Sequence, residues 1–369
     1  MTTDNGLLTY PFAEIPEYGT TLEVAPGVYW LRMPLPMSLN HINLYLLEGN
    51  SDWTIVDSGI RGEETRGHWH DIFENCLKGK PVTQIICTHM HPDHTGQAGF
   101  LSNRWRAPLL MSYSEYYQAR LMGTMMQEGD NWFMSDYFER AGLSIEFLET
   151  MRDMRSQFAP EPEDLPIPGS YIRVSDGEQI QIGANNWEVV VGTGHSPEHV
   201  CLYCRKLKLL ISGDQILPVI TSNVSVMPTE PFANPMLGWM ESHEKFKARI
   251  PDDTLVLPAH NEPFYGVRER LQQLIDHHDD RMLIIEENCV EPQIALDLLP
   301  FLFKRELEAH SMFMGLGECI AHLHYLIDCG RIERTLKDNR FYYRSIDPTL
   351  PERAKPGQHE EPDDIPMMI

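Results

Sequence analysis

The segment VTQIICTHMHPDHTG, residues 82–96, constrains what this chain can fold into more than any other feature. Its apolar, β-branched first half predicts a buried strand, and the proline and glycine in its second half predict a turn. Four side chains suited to metal binding follow the strand: His89, His91, Asp93 and His94. Alternate residues of an extended segment share a face, so His89 and His91 can point the same way. Asp93 and His94, beyond the proline turn, can reach a second point nearby. Because imidazole and carboxylate are ligands of zinc and its neighbours, the segment predicts the beginnings of two metal sites.

Three later segments supply the further ligands that two sites need. VVVGTGH places His195 after a strand and two glycines, KLLISGD places Asp214 after a strand and one glycine, and TLVLPAH places His260 after a strand and a proline. The order of apolar strand, chain-breaking residue and ligand recurs each time, which predicts that these residues meet at one edge of layered sheets. The other histidines that the sequence pairs closely are expected to be ordinary helix residues: His68, His70, His277, His278, His322 and His324.

Composition narrows the class of protein. A length of 369 residues predicts two or three domains, and 42% hydrophobic with 23% charged residues is typical of a soluble globular chain. No apolar run reaches membrane-spanning length, the first ten residues lack the features of a signal peptide, and seven irregularly spaced cysteines indicate a reducing compartment, so we expect a cytoplasmic protein. A net charge of −24 disfavours nucleic-acid backbones and anionic membranes as partners.

The chain divides into regions of different character. Residues 1–26 predict an extended leader, and strands alternate with helices over residues 27–278. Within that region, residues 112–170 form a Met-rich insertion of three predicted helices, either a small packing unit or a lid that adapts to an apolar substrate. Residues 279–345 predict helix, helix and β-hairpin, the order of a winged helix. Residues 346–369 predict an acidic, Pro-rich tail.

The motif H-x-H-x-D-H followed by His, Asp and His resembles the metallo-β-lactamase superfamily, over roughly residues 27–278. The resemblance implies an α+β fold, an αββα sandwich of two packed sheets with helices outside. It implies that His89, His91 and His195 hold one metal, that Asp93, His94 and His260 hold the other, and that Asp214 bridges the two. The stretch VDSG matches the family's strand-end motif, which gives Asp57 the role of orienting a ligand loop.

The identities of single ligands indicate which chemistry the resemblance implies. His91 stands where the flavin-linked di-iron members carry Glu, which favours hydrolysis over redox chemistry. Asp214 stands where the commonest β-lactamases carry Cys, which favours the ester-, thioester- and phosphodiester-cleaving relatives. Two divalent metal ions are expected, with Zn²⁺ as the default and Fe or Mn also compatible with these ligands. A metal-bridging hydroxide would attack the substrate, with Asp93 as catalytic proton acceptor.

The C-terminal region resembles that of the β-lactamase-like-protein-2 group, in which some members act on RNA and others on small esters or thioesters. The predicted recognition helix, residues 317–330, has two acids and no Lys or Arg. The hairpin carries Arg331, Arg334, Lys337, Arg340 and Arg344. A helix that contacts phosphates normally supplies cations. We therefore expect the winged helix to pack beside the active site or at a homodimer interface, with its hairpin as a solvated wing.

Departures from the glyoxalase II pattern limit the substrate. Ser196-Pro197-Glu198-His199 replaces the usual Thr-Pro-Gly-His, and Asn261-Glu262 follows His260. These acids disfavour a strongly anionic substrate and place a glutathione thioester in doubt. The sequence therefore predicts a binuclear hydrolase of neutral or apolar carboxylic esters, thioesters or lactones. A ribonuclease or phosphodiesterase is the alternative, and a winged-helix nucleic-acid-binding regulator is a weaker one.

Overall fold

The structure, a computed structural model, describes residues 8–37, 39–125, 132–144, 147, 167–303, 307 and 309–350. Two larger sheets and a hairpin contain the strands: β1 Leu22–Ala25, β2 Val28–Pro34, β3 His41–Glu48, β4 Trp53–Val56, β5 Val82–Ile86, β6 Leu109–Met111, β7 Ile172–Arg173, β8 Gln179–Ile182, β9 Asn185–Gly192, β10 His199–Cys204, β11 Leu209–Gly213, β12 Leu255–Pro258, β13 Ile332–Lys337 and β14 Arg340–Ser345. The helices lie mostly outside them: α1 Glu63–Asn75, α2 Pro92–Thr95, α3 Ala98–Trp105, α4 Tyr113–Met125, α5 Trp132–Ala141, α6 Pro235–Arg249, α7 Val267–Asn288, α8 Ala295–Leu302 and α9 Ala309–Asp328.

The two large sheets pack face to face. The first runs in the order β1-β2-β3-β4-β5-β6-β7, and the second in the order β12-β11-β10-β9-β8. The core between them contains Trp30 and Tyr45 of the first sheet with Trp187 and Leu202 of the second. Apolar residues on the outer faces pack under α1 and α3 on one side and under α6 and α7 on the other. The layers are thus helix, sheet, sheet and helix, and the predicted αββα architecture of the α+β class is confirmed.

Strand β10 shows why its sequence, HVCLYC, reads as one continuous apolar run. Val200, Leu202 and Cys204 face the core between the sheets. Cys201 and Tyr203 face the outer layer. Because side chains alternate across a strand that is covered on both faces, both sets must be apolar. The C-x-x-C spacing in this strand therefore belongs to packing, with its two thiols on opposite faces.

Strand direction determines where the chain after each strand lies. Strands β4, β5 and β6 are parallel, and so are β11 and β12. Strand β9 runs in the same direction as β11, because both are antiparallel to β10. In parallel strands the carboxyl ends meet at one edge, so the segments that leave β9, β11 and β12 gather at one edge of the second sheet. The segment after β5 joins them, because the N–H of Val200 in β10 donates to the carbonyl of Thr88 at 2.8 Å.

Two predictions about the N-terminal half can be compared with the structure. Within the predicted extended leader, residues Leu22–Ala25 pair with β2 and form the edge strand β1. In the insertion, α4 and α5 correspond to the first two predicted helices, whereas the third, near residues 144–158, lies almost entirely outside the described residues. Among the helices that the structure describes, none is long and apolar enough to cross a membrane.

The C-terminal region has the predicted order of two helices and a hairpin, α8, α9, β13 and β14. Every residue from 315 to 324 of α9 is buried. A recognition helix needs an exposed face, and this stretch of α9 has none. In the hairpin, Arg331 pairs with Glu286, Arg344 donates to Glu333 at 2.8 Å, and Arg334 lies 4.6 Å from the ring centroid of Phe341. These three cations interact with other groups of the protein.

Candidate metal centre

Seven predicted ligand residues come together at the edge where the strands end. His89, His91, Asp93 and His94 lie on the turn after β5 and the short helix α2 that follows it, while His195 follows β9, Asp214 follows β11 and His260 follows β12. Two groups result, whose candidate ligand atoms each lie within 4.8 Å of one another. We call His89, His91 and His195 the first triad. We call Asp93, His94 and His260 the second triad.

Close approach of nitrogen atoms characterises the first triad. His89 Nε2 lies 2.8 Å from His91 Nδ1 and 3.3 Å from His195 Nε2. In the second triad, Asp93 Oδ2 lies 3.6 Å from His94 Nε2 and 3.5 Å from His260 Nε2. Each triad therefore aims three donor atoms at a common point, as a cation site requires.

Asp214 lies between the two triads and reaches both. Its Oδ2 is 3.5 Å from His89 Nε2 and 3.4 Å from His195 Nε2, both in the first triad. The same Oδ2 is 3.3 Å from His94 Nε2, and Oδ1 is 3.4 Å from His260 Nε2, both in the second triad. A single buried carboxylate thus contacts two separate sets of imidazoles.

Buried polar atoms that lack hydrogen-bond partners show whether these residues suit a cation. His94 Nε2, His260 Nε2 and both carboxylate oxygens of Asp214 are buried, and within the described part of the chain none of them has a hydrogen-bond partner. A buried polar atom without a partner costs about 1–3 kcal/mol, so a cluster of four is unfavourable unless something else binds them. Bound divalent cations would satisfy all four atoms at once. The residues present therefore fit the metal ions that the donor set implies.

Hydrogen bonds to the far side of each ring orient the ligands. His94 Nδ1 lies 2.9 Å from Asp57 Oδ2, and His260 Nδ1 lies 2.9 Å from the carbonyl of His41. His195 Nδ1 donates to the carbonyl of Asn223 at 2.7 Å. In each case Nε2 is left to face the other ligands. Such partners set the tautomer and orientation of a metal-binding imidazole.

Asp57 itself is held in an uncommon backbone conformation. Its φ is 60°, in the left-handed region that Asp and Asn tolerate better than most residues. Its Oδ1 accepts a hydrogen bond from the backbone N–H of Thr88 at 2.8 Å, which ties the end of β4 to the ligand turn after β5. The role that the family resemblance implies for Asp57 therefore has a structural counterpart in this chain.

Three carboxylates, those of Asp57, Asp93 and Asp214, govern the electrostatics of the site. Although burial opposes it, the nearby carboxylates of Asp214, Asp57 and Asp93 hold the pKa of His94 well above its ordinary value. Burial likewise opposes ionisation of Asp214, but the neighbouring His94 and His260 hold the pKa of that carboxyl well below its usual range. The cluster thus favours a positive charge at its centre, which a proton supplies at His94 and a metal cation would supply in its place.

Sequence reasoning missed the residues that support the ligands from a distance. The Glu115 carboxylate is fully buried and accepts hydrogen bonds from the backbone N–H groups of Met90 and Glu198, in the two ligand loops. The backbone N–H of Asp214 donates to His199 Nε2 at 3.0 Å. His199 had a signal, since it ends the motif Ser-Pro-Glu-His after a ligand. Glu115 had none, because it lies within an ordinary helical pattern.

Two family models match this chain, one in its N-terminal and central part and one near its C-terminus. The model of the metallo-beta-lactamase superfamily matches residues 38–260, and the model of the metallo-beta-lactamase-like, C-terminal domain matches residues 283–345. The crystal structure of a beta-lactamase domain protein from Burkholderia ambifaria is 42% identical, covers 92% of this chain and 98% of its own, and superposes with a TM-score of 0.84.

Curated relatives are more distant and differ in the reactions they are named for. A probable metallo-hydrolase of Bacillus subtilis, YqjP, is 22% identical over 86% of this chain and 97% of its own length. A linear primary-alkylsulfatase of Pseudomonas sp. is 23% identical over 66% of this chain and 46% of its own. An acyl-coenzyme A thioesterase of Gallus gallus is 21% identical over 68% of this chain and 83% of its own.

Proposed function

The chain belongs to the metallo-β-lactamase superfamily and is a hydrolase, and we propose that it is a binuclear one that cleaves carboxylic esters, thioesters or lactones. The position of Asp214 carries the proposal. Its two carboxylate oxygens lie 3.3–3.5 Å from imidazole nitrogens of both triads, which supports a ligand shared by two metal ions. Zinc is the proposed metal, since three carboxylate or imidazole donors at each triad suit it.

Metal ions bound at the two triads would polarise a substrate oxygen and lower the pKa of a water molecule towards about 7. The chain's own contribution is to leave one side of the site open. Five of the seven ligand residues are buried, whereas His91 and Asp93 are partly exposed. We infer that substrate and water approach past His91 and Asp93, and that the Asp93 carboxylate accepts the proton released by attacking water and returns it to the leaving group.

Three features support a substrate with an apolar acyl part. Leu217 and Ile220 follow Asp214 closely in the chain and form a small apolar cluster with Leu39. Two further acids, Glu198 and Glu262, follow ligands of the two triads and add negative charge nearby. One relative is named as an acyl-coenzyme A thioesterase. A neutral or apolar acyl group suits this environment better than an anionic one.

The test is a substrate panel with metal-defined enzyme. Protein loaded with Zn²⁺, Mn²⁺ or Fe²⁺ is assayed on p-nitrophenyl esters of increasing chain length, acyl thioesters and lactones, with bis(p-nitrophenyl) phosphate and an alkyl sulfate as competing classes. We expect acyl substrates to be preferred, and Asp93→Asn to lose hydrolysis while remaining folded. A preference for the phosphodiester or the sulfate ester would refute the acyl assignment. A folded protein with fewer than two metal ions bound would refute the binuclear one.

A further inference from the structure

Residues 223–226 lie between a ligand of the first triad and the C-terminal helix α9. The carbonyl oxygen of Asn223 accepts the 2.7 Å hydrogen bond from His195 Nδ1. The side-chain amide of the same residue donates to the Glu318 carboxylate on α9 at 3.0 Å. Asn223 and Glu318 are 6% and 3% exposed, so neither contact is exchanged for water. One residue therefore joins a candidate metal ligand to the C-terminal region.

Close backbone packing fixes this segment against α9. The N–H of Val226 donates to the carbonyl of Gly317 at 3.1 Å. A Cβ built on Gly317 would lie 2.9 Å from the Cβ and Oγ of Ser225, closer than real Cβ atoms come to their neighbours. Glycine at 317 is thus required by the approach of the segment, and any larger residue would displace it.

A buried ion pair holds Glu318 in place. The Arg281 guanidinium of α7 donates to the second Glu318 oxygen at 3.1 Å, and the two side chains are 7% and 3% exposed. Removing one partner of such a pair leaves an uncompensated buried charge and is strongly destabilising. With one oxygen bound to Arg281, the other is directed at Asn223.

Two histidines beside Glu318, His278 and His322, raise the question of whether Glu318 belongs to another metal site. His278 Nδ1 lies 3.0 Å from His322 Nε2, and His322 Nδ1 donates to the Glu318 carbonyl at 2.8 Å. Candidate ligand atoms of His278, Glu318 and His322 lie within 4.8 Å of one another. A dication there would lie beside the Arg281 guanidinium, however, with Glu318 already neutralised by it. The cluster is therefore better explained as a buried hydrogen-bonded network than as a third metal site.

We propose that Glu318 is a positioning residue for His195, acting through Asn223, and that the C-terminal region thereby completes the metal site instead of forming a separate binding module. The proposal rests on the metal site proposed above. According to this proposal, α9 helps to orient His195. Loss of that contact should therefore change metal binding, independently of any catalytic step.

Cobalt binding tests the proposal without using activity. Co²⁺ affinity is measured by chelator competition on the full-length protein, and the visible absorption of bound Co²⁺ reports ligand geometry. Glu318→Ala is expected to weaken Co²⁺ binding by up to about 10–100-fold, the effect of losing a direct partner of a ligand being the upper bound for a residue that acts through Asn223, and to shift the absorption. The control is Glu286→Ala, which removes another buried glutamate, one paired with Arg331. It should lower stability but keep the wild-type affinity and spectrum.

A steric variant decides the question if Glu318→Ala does not fold. Gly317→Ala keeps the Glu318–Arg281 pair and pushes residues 223–226 outward, so it should also weaken Co²⁺ binding and alter its absorption. Its control is Gly315→Ala, whose added Cβ would lie nearest to the apolar side chains of Leu307 and Phe303.

Wild-type affinity and spectrum in every folded variant at 317 and 318 would overturn the proposal. A wild-type protein that binds Co²⁺ but hydrolyses no acyl substrate would refute the proposed function alone. Failure of the wild-type protein to bind Co²⁺ would refute both.

Discussion

The Glu115 carboxylate accepts a hydrogen bond from the backbone N–H of Glu198 at 2.8 Å. Its other oxygen accepts one from the N–H of Met90 at 2.9 Å, and the Glu198 carboxylate in turn accepts from the N–H of Ser114 at 2.7 Å. Met90 separates the two histidines of the H-x-H pair, and Glu198 lies three residues after His195. A buried glutamate near the start of α4 therefore holds both ligand loops of the first triad and joins them to the insertion.

Glu115→Ala should loosen both loops. It would leave two backbone donors without a partner, each costing about 1–3 kcal/mol of unfolding free energy if it stays buried. Urea unfolding measures the loss, and metal analysis after dialysis against a weak chelator should show depletion of the first triad's ion. Glu63→Ala, at an exposed site in the first turn of α1, is the control and should change stability by less than about 0.5 kcal/mol. Equal metal retention in both variants would contradict the prediction.

Glu115 should also make stability depend on pH. Burial raises the pKa of its carboxyl to about 7, against opposing hydrogen bonds from Ser196 and two backbone N–H groups. A folded-state pKa above the unfolded value means that the folded state binds the proton more tightly. This contribution to stability is complete below about pH 4.5 and is lost as pH rises to about 7, by up to about 3 kcal/mol. Glu115→Gln removes the titration, so the difference in unfolding free energy between the two proteins should change over this range. A constant difference from pH 5 to pH 8 would show that Glu115 titrates normally.

Asp57→Asn should weaken metal binding at the second triad while the protein stays folded. Asn tolerates the positive φ of this position, so the backbone is not strained by the change. The amide cannot orient and polarise the His94 ring as the carboxylate does, and we expect metal affinity or activity to fall about 10–100-fold. Isothermal titration with Zn²⁺ at fixed pH measures the affinity. Asp57→Ala is the companion variant and should show the same metal defect with an added loss of stability. Wild-type affinity in Asp57→Asn would contradict this role.

Metal removal should destabilise the protein as well as inactivate it. Without metal, polar atoms of His94, His260 and Asp214 are buried without hydrogen-bond partners among the residues that the structure describes. Bound metal, in contrast, stabilises the folded state by mass action. The melting temperature should therefore fall after treatment with a chelator and rise again with added Zn²⁺. Because His94 competes for a proton, the Zn²⁺ concentration needed for recovery should increase as pH falls. A melting temperature that is independent of metal would argue against occupancy of these sites.

The sequence was most informative where function depends on local pattern. His195, Asp214 and His260 each follow an apolar strand and a chain-breaking residue, and that order predicts a position at a sheet edge before any contact is known. The two helices and hairpin of the C-terminal region were predictable in the same way, from hydrophobic periodicity. The edge strand Leu22–Ala25 was missed because it is short and partly exposed, with prolines before it.

The candidate ligands and the family were thus predictable from the sequence itself, since both depend on residue type and spacing along a few segments. The tertiary structure alone decided what holds those ligands still. Glu115 reaches Glu198 across 83 residues, and Asn223 reaches Glu318 across 95. The groups that these two carboxylates bind are the backbone N–H groups of Met90 and Glu198 and the side-chain amide of Asn223, and none of them forms a recognisable pattern in the sequence. Which of them meets a buried carboxylate depends on how the layers pack, and so it emerges only when the chain is folded.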